Sequence, residues 1–250
     1  MKGRGTVRVL VTGAAGGLGR DAAAALLAAG HEVVLHARDS GRLAAVRDLT
    51  DRGAVAVTGD LSDPAETVSV AGQVNALGVT DTVIHNAAVY TGADILPVNV
   101  LAPYLLTCLI TRPARLVYLS SGMHRGGRPS LAALDAGPRR NRSVSYSDSK
   151  LFVATLSAAV ARRWPGVLSN AVDPGWVPTQ MGGPGAPDDL ELGHVTQVWL
   201  AVSEDPRART SGRYWYHQRP QPAHQAVSDE NFQDQLVDAL ARRTGAPFPK

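Results

Sequence analysis

Near its amino terminus the chain reads VRVLVTGAAGGLGRDAAAALLAAG over residues 7–30. A short β-branched run comes first, a glycine-rich turn follows, and a stretch rich in alanine and leucine with helical spacing completes the unit. Strand, glycine turn and helix in this order form the context that a dinucleotide-binding fingerprint requires. Glycines lack a Cβ, so the turn can be tight and its backbone can approach a pyrophosphate at the amino end of the helix. The stretch therefore predicts the first unit of an α/β fold.

The same alternation of short apolar runs and helical stretches continues along the chain. Repeated βα units of this kind predict a doubly wound α/β fold, the Rossmann fold, with a parallel sheet of about seven strands and helices on both faces. The predicted strands are 7–11, 32–37, 54–57, 82–85, 115–120, 167–172 and 214–216. The predicted helices are 17–29, 41–52, 65–77, 95–109, 144–164, 190–203 and 231–243.

The composition, net charge and cysteine content of the chain bear on its structural class, its binding partners and its cellular compartment. Hydrophobic residues make up 44% of the 250 residues and the net charge is only +3, which predicts one globular domain and no nucleic-acid partner. We interpret the basic group Arg139, Arg140 and Arg142 as a solvated loop. Cys108 is the only cysteine, which excludes an internal disulfide and fits a reducing compartment. No apolar run approaches the roughly 20 residues of a membrane span, so we expect no membrane contact and a cytoplasmic location.

A second motif, Tyr-Ser-Asp-Ser-Lys at residues 146–150, carries a phenol and an ammonium four residues apart. In a helix this spacing puts Tyr146 and Lys150 on one face as near neighbours. A free tyrosine titrates near pH 10, and a positive charge about 4 Å away at an effective dielectric near 20 favours the phenolate by roughly 4 kcal/mol, or about three pKa units. We therefore expect Lys150 to lower the pKa of Tyr146 and to make it a general acid–base group.

The ordered motifs resemble the short-chain dehydrogenase/reductase family, and within it NADP-dependent members similar to retinol dehydrogenases. The glycine turn has the spacing Thr-Gly-x-x-x-Gly-x-Gly, a serine ends the fifth predicted strand ahead of Tyr-x-x-x-Lys, and Pro-Gly follows the sixth strand. The resemblance implies a catalytic set of Ser121, Tyr146, Lys150 and Asn99, and no metal. The implied cofactor-binding residues are Thr12, Gly13, Gly17, Leu18, Gly19, Arg38, Asp60, Leu61, Asn86, Ala87, Tyr146, Lys150, Pro174, Gly175, Val177 and Thr179.

The resemblance also implies roles and a layout. Ser121, preferred by position to Ser120, would orient a carbonyl oxygen, and Asn99 would position a water for proton relay. One dinucleotide-binding and catalytic domain would span 1–250, with substrate loops at 122–143 and 180–192 and a carboxy-terminal extension at 217–250 that ends in a helix. The segment between Asn86 and Asn99 is shorter than in the family, and the segment between Ser121 and Tyr146 is longer.

The end of the second predicted strand bears on the choice of nicotinamide cofactor. An acid there accepts hydrogen bonds from the adenosine ribose and repels the extra phosphate of NADP. This chain has Ala37 at that place, followed by Arg38, whose planar guanidinium suits a 2′-phosphate. NADP(H) is therefore the favoured cofactor. NAD(H) stays open as the alternative, because the neighbouring Asp39 could reach the ribose instead.

The expected activity is hydride transfer between NADP(H) and a small-molecule carbonyl or alcohol, with a hydrophobic aldehyde or ketone as substrate by the resemblance to retinol dehydrogenases. A homo-oligomer is compatible with this resemblance. Two alternatives remain at this stage. One is an NAD-dependent epimerase or dehydratase of sugar nucleotides, which uses the same Tyr-x-x-x-Lys chemistry. The other is a non-catalytic sensor that binds NADP(H) and reports to a protein partner.

Overall fold

One sheet organises the part of the chain that the computed structural model describes, which is residues 5–135 and 144–250. Its strands are β1 Arg8–Val11, β2 Glu32–Ala37, β3 Val55–Thr58, β4 Thr82–His85, β5 Arg115–Leu119, β6 Leu168–Asp173, β7 Tyr214–Tyr216 and β8 Arg219–Gln221. They lie side by side in the order β3-β2-β1-β4-β5-β6-β7-β8. All neighbours are parallel except β7 and β8. Arg139, Arg140 and Arg142, interpreted above as a solvated loop, lie outside the described residues.

The strand order reverses between β1 and β4. β1 pairs with β2 on one side and with β4 on the other, so the chain winds outward in both directions from the middle of the sheet. This is the doubly wound Rossmann arrangement, and the predicted fold class is confirmed. In such sheets ligands bind outside the carboxyl ends of the strands at the point of reversal. The glycine turn follows β1, so it lies at that point.

The described residues form eight strands rather than the predicted seven or so. The additional strand, β8, is an antiparallel edge strand that contains Pro220 and has a largely exposed, polar sequence. Edge strands tolerate proline because one side of the strand needs no partner. The connecting turn has positive φ at His217 (46°) and Gln218 (56°), as a type I′ hairpin requires, without the usual Asn-Gly signal. Neither the strand nor its turn therefore has a recognisable sequence pattern.

The helices on the two faces follow the predicted positions, with interruptions. They are α1 Gly17–Ala28, α2 Ser40–Leu43, α3 Arg47–Asp51, α4 Pro64–Ala76, α5 Ala102–Leu109, α6 Ala132–Asp135, α7 Tyr146–Arg163, α8 Leu190–Gly193, α9 Val195–Val202 and α10 Glu230–Thr244. The region predicted as one helix over 41–52 is divided by a 3₁₀ turn at Ala44–Val46. The region predicted as one helix over 95–109 begins with a π-helical turn at Pro97–Leu101. π turns widen the helix locally and are frequent near functional sites.

Two apolar cores lie on opposite faces of the sheet. Because side chains alternate along a strand, Val9 and Val11 of β1 face the core that contains Leu26 of α1, while Leu10 faces the other core. This second core is the larger and includes α4, α5, α7 and α10. Phe152 of α7 lies 6.4 Å from Phe232 of α10 between ring centroids, so α10 covers α7. No helix within the described ranges is long and apolar enough to cross a membrane.

Helix α7 places the Tyr-x-x-x-Lys motif at its amino end. Ser145 caps this helix: its hydroxyl accepts from the Asp148 N–H at 3.1 Å, and the Asp148 carboxylate accepts from the Ser145 N–H at 3.2 Å. This capping box fixes the start of the helix at Tyr146. Tyr146 and Lys150 therefore occupy successive turns on one side of α7, as the sequence predicts.

Candidate functional site

The glycine turn after β1 has the shape that a bound pyrophosphate needs. Gly13 and Gly17 have φ of 65° and 51°, which glycine adopts without strain. A Cβ at Gly13 would lie 2.9 Å from Cα of Ala87, and one at Gly19 would lie 2.5 Å from the Gly13 carbonyl oxygen. The turn therefore packs closely on the loop after β4 and keeps its backbone open to the cleft. These features fit a dinucleotide cofactor.

Thr12 and Asn86 fasten the turn after β1 to the turn after β4. The Thr12 hydroxyl accepts from the N–H groups of Asn86 (2.9 Å) and Ala87 (3.0 Å), and the Asn86 amide donates to the Thr12 carbonyl at 2.9 Å. Thr12 is buried and lies beneath the cleft surface. Its side chain holds the two turns in register, which is a different task from contacting a cofactor directly.

A cleft of about 630 Å³ runs along the carboxyl edge of the sheet from these turns to α7. Most of the residues predicted for cofactor binding or catalysis line it: Gly13, Gly17, Leu18, Arg38, Asp60, Leu61, Asn86, Ala87, Tyr146, Lys150, Pro174 and Thr179. The others pack beside or beneath it: Thr12, Gly19, Asn99, Ser121, Gly175 and Val177. Lining residues that the sequence did not single out include His36, Arg42, Ser62, Tyr90, Asp94, Gln180 and Met181.

Lys150 holds a buried ammonium at the catalytic end of the cleft. It is 3% exposed, and its Nζ donates to the carbonyl oxygen of Leu119, the last residue of β5, at 2.8 Å. The Nζ also lies 5.4 Å from the ring centroid of Tyr146. Burial lowers the pKa of Lys150 to about 8, and the negative charge of Asp173 opposes that shift. Lys150 is therefore charged at neutral pH and loses its proton a little above it.

Tyr146 is a phenol rather than a phenolate at neutral pH. Burial raises its pKa to about 12, and a hydrogen bond with the Ser121 hydroxyl only partly offsets this effect. The charge of Asp173 raises it further. The expectation that Lys150 lowers the pKa of Tyr146 stays a prediction, because burial raises this pKa overall. A protonated phenol is suited to donating its proton.

The two serines at the end of β5 have different surroundings. The Ser120 hydroxyl is buried and donates to the Lys150 carbonyl oxygen at 2.9 Å, so it links β5 to α7. The Ser121 hydroxyl instead reaches Tyr146 and accepts from the Met123 N–H at 3.2 Å. His124 fixes the Ser121 backbone, because its Nδ1 lies 2.8 Å from the Ser121 carbonyl oxygen. Ser120 lines the cleft and Ser121 does not, so the preference for Ser121 as the catalytic serine stays a prediction that its proximity to Tyr146 supports.

Asn99 lies in the π-helical turn with its side chain fully engaged. Its Oδ1 accepts from the Val89 N–H at 2.8 Å, and its Nδ2 donates to the Val89 carbonyl at 2.9 Å and to the Ser149 hydroxyl at 3.0 Å. It does not line the cleft. The structure thus has Asn99 joining the loop after β4 to α7, and does not bring it to a position where it would hold a relay water in the cleft.

Two arginines line the opposite end of the cleft. Arg38 follows β2 and Arg42 lies in α2. Asp39, the acid that could accept from an adenosine ribose, instead caps α2: its carboxylate accepts from the Arg42 N–H at 3.0 Å and lies 3.4 Å from the Arg38 guanidinium. This end of the cleft therefore presents two guanidinium groups, and the adjacent Asp39 carboxylate caps α2.

The segment after β6 forms the wall opposite the glycine turn. The Thr179 methyl would be 3.5 Å from a Cβ at Gly17, so the two sides of the cleft meet there. Asp188 accepts from the Trp176 N–H at 2.6 Å, and the Trp176 indole N–H donates to the Gly182 carbonyl at 2.9 Å. These contacts give the segment a defined shape while the Trp176 ring stays exposed. Within the described part of the chain, no group of three metal-binding side chains is present.

Comparison with known proteins identifies the family. The family model described as short chain dehydrogenase matches residues 7–103. An uncharacterised oxidoreductase from Emericella nidulans is 36% identical over 97% of this chain and 99% of its own length. Mouse retinol dehydrogenase 14 is more distant, at 28% identity over 70% of this chain and 62% of its own length. This chain belongs to the short-chain dehydrogenase family of oxidoreductases, and the predicted family is confirmed.

Solved structures share the fold across nearly the whole chain. An uncharacterised protein from Mycobacterium paratuberculosis has a TM-score of 0.80 at 23% identity, covering 98% of this chain and 95% of that one. The NADP complex of RhlG from Pseudomonas aeruginosa has a TM-score of 0.69 at 20% identity, covering 91% of this chain and 96% of that one. At these identities the likeness establishes the fold alone.

Replacing Gly19 by alanine tests the packing of the glycine turn. The new Cβ would collide with the Gly13 carbonyl and the Asn86 amide, so Gly19→Ala should weaken dinucleotide binding by at least about tenfold. NADPH fluorescence titration measures the change. Gly72→Ala in α4 is the control, because no atom lies within 4 Å of its new Cβ and alanine favours a helix. Equal NADPH affinity of the two variants would contradict the packing argument.

Proposed function

We propose that the protein is an NADP(H)-dependent oxidoreductase that interconverts a carbonyl and an alcohol, with a hydrophobic aldehyde or ketone as its substrate. The observation that carries the proposal is that Tyr146 and Lys150 line the same cleft as the glycine turn, with Ser121 close enough to Tyr146 to affect its pKa. A proton donor and a dinucleotide cradle thus share one cavity. Hydride chemistry needs both in one place.

Each residue at the catalytic end of the cleft would have its own role in the reaction. A nicotinamide dinucleotide bound in the cleft would supply the hydride. Tyr146 would donate the proton to the developing alkoxide, because a phenol is protonated at neutral pH and is a stronger acid than an alcohol. The Ser121 hydroxyl, which is close enough to that phenol to affect its pKa, would donate to the same substrate oxygen. The Lys150 ammonium would stabilise negative charge as it develops there, and its bond to Leu119 fixes its position.

The charged end of the cleft supports NADP(H) over NAD(H). Arg38 and Arg42 offer two guanidinium groups for a 2′-phosphate, and each presents a fork that matches phosphate oxygens. Asp39 uses one carboxylate oxygen to cap α2 and lies beside the Arg38 guanidinium, which favours this helix-capping role over binding of a ribose hydroxyl. Gly13, Gly17 and Leu18 would hold the pyrophosphate, Asp60 and Leu61 the adenosine, and Thr179 the nicotinamide half.

An apolar rim around the catalytic end supports a hydrophobic substrate. Tyr90 and Met181 line the cleft and are exposed, and Met123 lies two residues after Ser121. The Tyr90 ring is 4.8 Å from that of Tyr146 between centroids. The segment after β6 adds three more exposed apolar side chains: Trp176, Leu190 and Leu192. Exposed apolar side chains in the lining of a cleft, here Tyr90 and Met181, are typical of a binding surface for an apolar ligand.

The two alternatives have less support. A sugar-nucleotide epimerase or dehydratase would bind a polar sugar beside Tyr146, whereas the side chain that lies against Tyr146 in the cleft is the exposed aromatic ring of Tyr90. A sensor without catalysis would have no use for the Ser121–Tyr146 hydrogen bond or for an ammonium buried beside the phenol. The proposed oxidoreductase uses all of these features.

Removing the Tyr146 hydroxyl tests the proposed proton donor. Tyr146→Phe should lower kcat for NADPH-dependent reduction of a carbonyl by about 100-fold or more, because general acid catalysis contributes that much. Following NADPH absorbance against a panel of apolar aldehydes and ketones measures it. Tyr104→Phe is the matched control: it loses a phenol hydroxyl that donates to the Ala246 carbonyl, and should keep its activity. If both variants reduce the same carbonyl at the wild-type rate, Tyr146 is not the proton donor.

Removing the two guanidinium groups tests the cofactor preference. The double variant Arg38→Ala with Arg42→Ala should raise the KM for NADPH by roughly tenfold or more and leave the KM for NADH nearly unchanged, since only NADPH carries the 2′-phosphate. Arg243→Ala, in the last turn of α10, serves as the control for loss of surface charge. Equal changes in the KM for NADPH and the KM for NADH would mean that these arginines do not recognise the 2′-phosphate.

A further inference from the structure

His36 is a buried polar side chain in the middle of an apolar strand. It is 3% exposed, and its neighbours in β2, from Val33 to Ala37, are otherwise apolar. Both ring nitrogens have partners. The Gly13 N–H donates to Nδ1 at 3.1 Å, and Nε2 lies 2.9 Å from the carbonyl oxygen of Gly59. An apolar side chain could fill this position in the core. The two hydrogen bonds of His36 therefore indicate a role beyond packing.

The two partners define the protonation state of this ring. A backbone N–H can only donate and a carbonyl can only accept, so Nδ1 is the acceptor and Nε2 carries the proton. A doubly protonated ring would direct a second N–H at the Gly13 N–H. Burial lowers the pKa of His36, although the Gly59 bond and the charge of Asp60 oppose the shift. His36 is therefore a neutral ring with one tautomer.

The partners belong to two different parts of the dinucleotide cradle. Gly13 is the first glycine of the turn after β1, where the backbone would approach the pyrophosphate. Gly59 directly precedes Asp60 and Leu61, which line the cleft after β3. His36 also lines the cleft itself. One rigid ring thus sets the separation between the turn after β1 and the turn after β3.

We infer that His36 is a positioning residue for the dinucleotide site, which acts by holding the Gly13 turn and the Gly59–Leu61 turn at a fixed distance. The inference rests on the proposed function, because it assumes a dinucleotide in this cleft. Without the ring, the partly buried Gly13 N–H loses its acceptor, and an unsatisfied donor that is shielded from water is costly. The turn then has to move, and the backbone no longer fits the phosphates.

Three substitutions of His36 test its hydrogen bond with Gly13 separately from its hydrogen bond with Gly59. Asparagine places its Oδ1 where Nδ1 stood and keeps an acceptor for Gly13, whereas glutamine reaches the Gly59 carbonyl and leaves Gly13 without one. Phenylalanine keeps the ring and removes both bonds. We expect His36→Phe to bind NADPH roughly tenfold more weakly than the wild type, and His36→Asn and His36→Gln, which each keep one of the two bonds, to have affinities between those of His36→Phe and the wild type.

The measurement is the Kd of NADPH by fluorescence titration, with the KM for NADPH and kcat measured beside it. A positioning role raises Kd and KM and leaves kcat unchanged, because Ser121 and Tyr146 lie at the other end of the cleft. His31→Phe is the matched control, since this buried histidine immediately precedes β2 at its other end. Thermal unfolding of each variant shows whether a change in Kd accompanies a general loss of stability.

The outcomes distinguish this inference from the proposed function. If the wild type binds NADPH and His36→Phe binds it within twofold, or if His36→Asn binds as weakly as His36→Phe, the inference about His36 is overturned. If the wild type binds NADPH but reduces no carbonyl, the proposed reductase activity fails and the binding series still decides the role of His36. If the wild type binds neither NADPH nor NADH, the proposed cofactor site fails, and the inference fails with it.

Discussion

The bond from the buried Lys150 ammonium to the Leu119 carbonyl is the interaction on which the catalytic end of the molecule depends. A buried charge is costly unless it is hydrogen-bonded, so the end of β5 and the first turns of α7 have to stay together. The Ser120 hydroxyl strengthens this link by donating to the Lys150 carbonyl. Ser121 follows Ser120 directly after β5, and Tyr146 lies one turn earlier on α7. Both therefore meet because Lys150 joins the two elements.

At the cofactor end of the cleft, uncharged side chains hold neighbouring turns together through hydrogen bonds. Thr12 and Asn86 hold the turn after β1 to the turn after β4, and His36 holds it to the turn after β3. Each link is a side chain whose hydrogen bonds leave the glycine backbone free to face the cleft. The parallel sheet brings all these turns to its carboxyl edge, so local bonds between turns are sufficient to shape one continuous cleft.

The sequence was sufficient to predict what depends on periodicity and on ordered motifs. Apolar runs located the strands from β1 to β7, and the spacing between Tyr146 and Lys150 placed both on one side of a helix. The sequence did not reveal β8, a polar edge strand that contains Pro220. It also did not reveal that Arg42 lines the cleft, because the position of Arg42 depends on the fold of α2. A histidine within an apolar strand indicates that His36 has a special role. Its hydrogen-bond partners could not be predicted from the sequence, because each lies 23 residues away along the chain. The raised pKa of Tyr146 depends on burial, which spacing alone does not give.

The charge state of Lys150 is the most direct test of this account. Its lowered pKa of about 8 means that the ammonium is present below that pH and is lost as the pH rises through it, whereas Tyr146, with a pKa of about 12, stays protonated throughout. The measurement is kcat/KM for NADPH in carbonyl reduction from about pH 6 to about pH 10, because this ratio depends on the pKa values of the free enzyme. We predict a constant ratio at low pH and a fall as the pH passes about 8. A ratio that stays constant or rises up to pH 10 would contradict the role of a buried, charged Lys150.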